Sequence, residues 1–208
     1  MKIWGRLTSI NVRKVVWTAQ ELGLKFERSD AGSSYGVVKT DAYRAMNPNS
    51  LVPTLVDGDY VLWESNVIMR YLCAKQGSPL LPTDLQQRFN VERWMDWQQT
   101  TLNPAGREAF IQWIRTPDAR RDAAKIAESV GRMAPLLSLL DRHLSKQAFM
   151  CGAAFTLADI PVACDIHRWF ALPQPSTANQ HIHPHLDAWF ATVLKRPATL
   201  GVLDIPLA

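Results

Sequence analysis

The chain has little that could crosslink it or hold it in a membrane. Its 208 residues include three cysteines, Cys73, Cys151 and Cys164, an odd number at wide spacing with no C-x-x-C pair. That argues against a disulfide framework and against a cysteine zinc site. Each cysteine falls in an apolar pattern and reads as a small core residue. No apolar run approaches the ~20 residues of a membrane span. The opening Met1-Lys2-Ile3-Trp4-Gly5-Arg6 carries no hydrophobic signal segment, so a cytoplasmic protein is expected. Neither sign of charge dominates: 23 Lys and Arg stand against 19 Asp and Glu, for a net +4. No long basic block is present, so nucleic acid is not implied, and a small anionic ligand is allowed. His181, His183 and His185 alternate, but Pro184 interrupts them and no ligand set is completed, so no metal is expected.

What is present is ordinary globular composition, 47% hydrophobic and 20% charged. A chain of this length forms one large or two small domains and buries its apolar surface without staples. Residues 1–5 are apolar and end at a break, which predicts a strand. Over 11–22, Val12, Val15, Val16, Ala19 and Leu22 recur at helical spacing, with Asn11 as N-cap and Gly23 as stop. Residues 24–28 predict a second strand, and a loop with Gly32, Ser33, Ser34 and Gly36 follows. Residues 54–56 and 60–62 flank Asp57-Gly58-Asp59, a hairpin signal, and a helix is predicted over 64–75. The order is βαβαββα. Its first unit implies a parallel strand pair and its hairpin an antiparallel edge.

The turn-rich stretch Gln76-Gly77-Ser78-Pro79-Leu80-Leu81-Pro82 marks a boundary. The predicted organisation is an α/β domain over 1–77, a linker over 78–85 and an all-α domain over 86–208. Helical periodicity runs over 84–114, interrupted at Asn103-Pro104, where Pro104 bends it. Further helices are predicted over 118–144 with Pro135 inside, over 156–171, and over 183–195 before Arg196-Pro197. Trp94 and Trp97, and the pairs Trp169-Phe170 and Trp189-Phe190, read as packing.

Three features of the first domain bear on chemistry. Thr8-Ser9-Ile10-Asn11 sits where the first strand meets the first helix. Such a junction offers free N–H groups and a positive dipole end, and a hydroxyl there can donate to an anion. If the anion is sulfur, the same field favours thiolate over thiol. The other reading is simple helix capping. Next, Asn47-Pro48-Asn49-Ser50-Leu51-Val52-Pro53-Thr54 places Val52-Pro53 directly before the hairpin. A proline opening a strand loses no ladder bond. A cis bond there would leave the Val52 N–H and C=O for an extended, peptide-like ligand; an ordinary tight turn is the alternative. Third, Trp63-Glu64-Ser65-Asn66 opens a helix. An acid and a hydroxyl cap a helix, and they can equally hold a zwitterion, Ser65 its carboxylate and Glu64 its ammonium.

In this order and at this spacing, the three motifs resemble those of the cytosolic glutathione transferases, in a bacterial branch near the theta and beta classes. The resemblance spans the whole chain. It implies a thioredoxin-like N-terminal domain, an all-helical C-terminal domain, glutathione as cosubstrate and no metal. It implies that the protein conjugates the glutathione thiolate to small hydrophobic electrophiles. Ser9 would donate to the sulfur, with Thr8 and Asn11 as neighbours able to share or replace that role. Leu51, Val52 and Pro53 would hold the cysteinyl part, Glu64 and Ser65 the γ-glutamyl end, and Lys39 the glycyl carboxylate. An electrophile pocket between the domains would be lined by Leu7, Arg107, Phe110, Ile111 and Trp113. A homodimer is implied, and no membrane or nucleic-acid partner.

The sequence also departs from parts of the family. No tyrosine stands near the start of the first helix, so the tyrosine-dependent classes do not fit. No cysteine occupies positions 8–12, which disfavours redox chemistry by an enzyme thiol. A glutathione-dependent disulfide reductase, dehalogenase or isomerase stays open, as does a non-catalytic binding module of the same fold. Lastly, Phe155-Thr156-Leu157-Ala158-Asp159-Ile160 is a T-x-x-D capping box with Phe155 and Ile160 as its hydrophobic staple. Its expected role is structural.

Overall fold

The computed structural model describes residues 1–173 and 182–208, so His181 lies outside the described residues. The chain forms two compact units. The first comprises Met1–Leu81 together with Pro197–Pro206, and the second Pro82–Arg196 with Leu207–Ala208.

The first unit runs β1 (Lys2–Trp4), α1 (Ile10–Glu21), β2 (Glu27–Ser29), α2 (Asp41–Met46), β3 (Thr54–Asp57), β4 (Tyr60–Trp63) and α3 (Ser65–Lys75). Its sheet has the order β2-β1-β3-β4. β1 pairs in parallel with β2, Ile3 opposite Arg28, and antiparallel with β3, Ile3 opposite Leu55. β3 and β4 close the hairpin around Gly58. This is the predicted βαβαββα thioredoxin-like arrangement.

Two boundaries differ from the sequence reading. α1 starts at Ile10 with Ser9 as N-cap, not at Asn11. The Ser9 carbonyl already accepts from the Val12 and Arg13 N–H groups, both at 3.0 Å, so the helical ladder begins two residues early. β2 starts later than expected because Leu24 is used to stop α1: its N–H bonds the Ala19 carbonyl at 2.9 Å.

The unit's core contains Ile3, Val12, Val15, Trp17, Leu55, Ile68, Met69 and Leu72, each 0% or 1% exposed. α1 is not amphipathic in effect, since every residue from Val12 to Ala19 is buried, Arg13 and Lys14 included. Part of the reason is the segment 197–206, which lies along this helix. Arg13 Nη2 donates to the carbonyls of Ile205 (3.2 Å) and Pro206 (2.8 Å), and Gln20 Nε2 donates to that of Leu200 (2.9 Å). The sequence pattern groups 197–206 with the helical remainder, because nothing local signals a partner some 190 residues earlier.

The second unit holds α4 (Leu85–Trp97), α5 (Asn103–Phe110), α6 (Ala123–Leu144), α7 (Asp159–Phe170) and α8 (Pro184–Leu194). Helix runs without a gap through the expected interruption at Asn103-Pro104. The wide turns of Gln98–Leu102 join α4 to α5 and accommodate a proline, which has no N–H for the ladder. Asp165 is 2% exposed and takes hydrogen bonds from Gln98 of this stretch and from Arg168. No helix among the described residues is long and apolar enough to cross a membrane.

The capping box takes a different form from the one its motif suggests. α7 begins at Asp159, and the Thr156 hydroxyl donates to Asp159 Oδ2 at 3.1 Å where a capping oxygen would accept from the helix. The Asp159 carboxylate, 0% exposed, is the acceptor for the whole corner. Oδ2 also takes the Thr156 N–H at 2.9 Å, and Oδ1 takes the Met150 N–H and the Trp189 Nε1–H, each at 2.9 Å.

Candidate active site

The three sequence motifs meet at the C-terminal end of β1. Gly5 is what lets them meet. A Cβ on Gly5 would stand 2.4 Å from a Val12 methyl and 3.2 Å from the Val52 Cβ, so only glycine allows α1 and the Val52 step to close over the strand end.

Ser9 caps α1 by its backbone, and its side chain makes no capping hydrogen bond. The capping explanation for this hydroxyl is therefore not realised, and Oγ is left to interact with something else at a half-buried helix start. Thr8, also half-buried, lies in the preceding turn. The Asn11 side chain is turned to α3, where its Oδ1 faces the Ser65 hydroxyl at 3.4 Å, near the limit of a hydrogen bond. This contact puts the N-termini of α1 and α3 side by side, and two positive dipole ends with it.

The Val52-Pro53 bond is cis. Val52 precedes β3 and joins no strand ladder, and among the described residues neither its N–H nor its C=O has a hydrogen-bond partner. The loop before it is braced from α2. Buried Tyr43 and Asn47 both donate to the Leu51 carbonyl, at 2.8 and 3.0 Å, and both also hydrogen-bond Thr54 Oγ1, at 2.9 and 3.1 Å. Burial raises the Tyr43 phenol above its ordinary pKa, with the Thr54 bond opposing, so it stays a neutral donor. The Leu51 side chain itself is exposed, and Pro53 is buried.

Glu64 is held at φ +72° and ψ 111°, a conformation that L residues rarely adopt, while its exposed side chain makes no cap bond to α3. Such a conformation costs of order 1–3 kcal/mol and persists where the surroundings impose it, typically at ligand sites. Ser65, the first residue of α3, is 5% exposed. Lys39 is exposed in the loop before α2, next to the Thr40 cap.

Leu7 is half-buried in the β1–α1 loop, and its carbonyl accepts from Arg13 Nε at 2.7 Å. The other four predicted electrophile-side residues belong to the helical unit. Arg107 is exposed, and Ile111 and Trp113 are half-buried. Phe110 is only 6% exposed, its ring packed by the Arg115 and Arg168 guanidinium groups at 4.7 and 5.3 Å. The cysteines offer no ready nucleophile. Burial pushes the Cys73 thiol up to about 12 and the Cys151 thiol up to about 11, and Cys164 is buried.

Sequence reasoning missed two residues of this region. Tyr43 could have been found as the residue one helical turn before Asn47. Arg6, the basic residue of the β1–α1 loop, carries no local signal that sets it apart from other surface cations.

Comparison with known proteins gives a consistent result. Residues 1–74 match the family model for the glutathione S-transferase N-terminal domain, and residues 102–197 match the one for the glutathione S-transferase C-terminal domain. The chain is 39% identical over 209 residues to glutathione S-transferase GstB of Escherichia coli (strain K12), covering 99% of each. It is 30% identical to glutathione S-transferase 3 of Zea mays, covering 99% of this chain and 96% of that protein. Among solved structures, it is similar to the theta class glutathione S-transferase from the citrus canker pathogen Xanthomonas axonopodis pv. citri with glutathione bound. There the TM-score is 0.94 at 40% identity, covering 100% of this chain and 98% of that one.

Proposed function

The chain belongs to the glutathione S-transferase family, and we propose that it conjugates the glutathione thiolate to small hydrophobic electrophiles, with the first unit holding the tripeptide. The observation that carries this reading is the group of unsatisfied elements around the β1 end: the Ser9 hydroxyl that caps nothing, the unpaired Val52 backbone and the strained Glu64. They fit an extended peptide with a sulfur in its middle and a zwitterionic end.

In this reading the Val52 N–H and C=O pair with the cysteinyl backbone as one strand adds to another. Ser65 and the α3 N-terminus take the γ-glutamyl carboxylate, Glu64 takes its ammonium, and Lys39 takes the glycyl carboxylate. Leu51 and Pro53 frame the step. Ser9 donates to the sulfur, with Thr8 and Asn11 beside it. The nucleophile is the cosubstrate's own, so the protein has to bind it, orient it and favour its ionised form. The high Cys73 and Cys151 values agree with a mechanism that uses no enzyme thiolate.

A homodimer in the cytoplasm completes the proposal. Trp63 and Val67 of the first unit, and Leu85 and Phe89 on α4, are exposed large apolar side chains that a second copy would cover.

The reading is tested by retention on immobilised glutathione together with a chlorodinitrobenzene conjugation assay. Binding without turnover of any electrophile would favour a binding module. Turnover of hydroxyethyl disulfide without conjugation would favour a reductase. Ser65→Ala should raise the KM for glutathione by about 10-fold and lower kcat less, since its hydroxyl meets a charged group in ground state and transition state alike. A fall in kcat with KM unchanged would remove Ser65 from the binding site.

A further inference from the structure

Arg6 stands in the turn that carries Ser9, and its backbone ties that turn to the β2–α2 loop. Its carbonyl accepts the Ser9 N–H at 3.1 Å, and its own N–H bonds the Ala31 carbonyl at 3.3 Å. The side chain is half-buried, yet among the described residues the guanidinium makes no hydrogen bond and no ion pair. The carboxylate nearest in sequence on the β2 side, Asp30, is already taken by Arg28, which also donates to the Gly5 carbonyl at 2.8 Å. A partly desolvated cation without a counter-charge is unfavourable unless a ligand supplies the charge. Burial lowers the Arg6 pKa, with Tyr35 opposing, and the group remains a cation.

The Arg6 guanidinium lies against Gly32. The point where a Gly32 Cβ would stand is 2.8 Å from Arg6 Nη1 and 3.5 Å from both Val52 methyls. The guanidinium therefore lies beside the same Val52 that is proposed to hold the cysteinyl part. The loop that follows is closed by the Gly32 N–H bonding the Gly36 carbonyl at 2.9 Å. Its residues Ser33 and Val37 have φ of +55° and +66°, and it exposes Tyr35 (54%) and Val37 (38%) to solvent. A cation without a counter-charge thus lies beside the Val52 step, and the loop that it borders exposes an aromatic–aliphatic surface.

We propose that Arg6 determines acceptor specificity: it binds the carboxylate of an electrophile whose carbon skeleton rests on Tyr35 and Val37. This rests on the conjugating function proposed above. For an aryl chloride acceptor, the glutathione sulfur forms the new C–S bond, chloride leaves with the pair of the broken C–Cl bond, and the thiol proton passes to solvent. Arg6 takes no part in that exchange and serves to hold the acceptor.

The test compares the unaltered protein with Arg6→Gln on two matched acceptors, 4-chloro-3,5-dinitrobenzoate and its methyl ester, with glutathione affinity measured by calorimetry. Arg6→Gln should lower kcat/KM for the carboxylate about 10- to 100-fold, mainly through KM, as loss of a charge-assisted pair predicts. The ester should change less than about 2-fold, the glutathione affinity should not change, and Arg6→Lys should restore part of the carboxylate activity. Equal losses on both acceptors, or no loss on either, would overturn the assignment. A weakened glutathione affinity with acceptor selectivity unchanged would overturn it too, and would place Arg6 on the tripeptide. If the unaltered protein binds glutathione but turns over neither acceptor, the conjugating function fails and this proposal with it.

Discussion

Ser9→Ala should lower kcat/KM for conjugation by about 10- to 100-fold, and should move the rising limb of its pH profile upward by about one to two units. The magnitude follows from the thiol. A cysteinyl thiol with a pKa near 8.5 is mostly protonated at pH 7, and each unit of depression needs about 1.4 kcal/mol of preference for the thiolate. A hydrogen bond to a charged group contributes about 1.5–3 kcal/mol, which accounts for one to two such units. The α1 dipole acts in the same direction and survives the substitution, so some activity should remain. Glutathione affinity should change little at low pH, where the bound thiol is protonated in both proteins, and should weaken by about the same 10- to 100-fold where it is ionised in both. The structure supports this choice of residue because the Ser9 hydroxyl makes no cap bond that its removal would break. Fold stability should therefore be nearly unchanged. Full activity in Ser9→Ala would transfer the role to Thr8, Asn11 or the backbone N–H groups, and steady-state rates from pH 5 to 9 are sufficient to decide.

The other large effect lies in the helical unit and concerns stability. Asp159→Ala should destabilise the protein by about 3–5 kcal/mol. It leaves the buried Met150 N–H, Thr156 N–H and Trp189 Nε1–H without an acceptor, and each unsatisfied buried donor costs about 1–3 kcal/mol. At about 2–4 °C per kcal/mol for a chain of this size, the melting midpoint should fall by roughly 10 °C. Thr156→Ala removes one of the four bonds and should cost about 1 kcal/mol. Asp159→Asn keeps an acceptor for two of the donors and sets an amide against the Thr156 N–H, so it should fall between the two. Thermal and urea unfolding measure all three. An Asp159→Ala protein within about 1 kcal/mol of the unaltered one would mean that the corner rearranges to satisfy its donors without the carboxylate.

How far these residues can be read from the sequence depends on how local their signals are. Ser9, Val52-Pro53 and Glu64-Ser65 each sit where one element joins the next, and such joins are marked by residue type: a hydroxyl before a helix, a proline before a hairpin. The parallel β1–β2 pair and the β3–β4 hairpin follow for the same reason, from one crossover and one Asp-Gly turn, whereas the pairing of β1 with β3 that joins them has no local mark. Other features are set by distant chain. Arg13 reads as a solvent-facing helical residue, yet it is 3% exposed and bonded to carbonyls more than 190 residues away. Glu64 looks like an ordinary helix-start acid, and its φ of +72° comes from the fold around it. Arg6 shows as one more basic residue until Gly32, Val52 and the Arg28–Asp30 pair are placed around it. The capping box was legible as a motif and not as a network, because the Met150 and Trp189 donors lie 9 and 30 residues from Asp159.

The most direct measurement is calorimetric titration of the protein with glutathione near pH 7 in two buffers of different ionisation enthalpy. The expected result is saturable heat at millimolar glutathione or below, with a buffer-dependent part that reports release of a substantial fraction of a proton per tripeptide bound, as a sulfur with a lowered pKa requires. No heat at millimolar glutathione, or binding whose enthalpy is the same in both buffers, would contradict the claim that this chain captures the tripeptide and keeps its sulfur ionised.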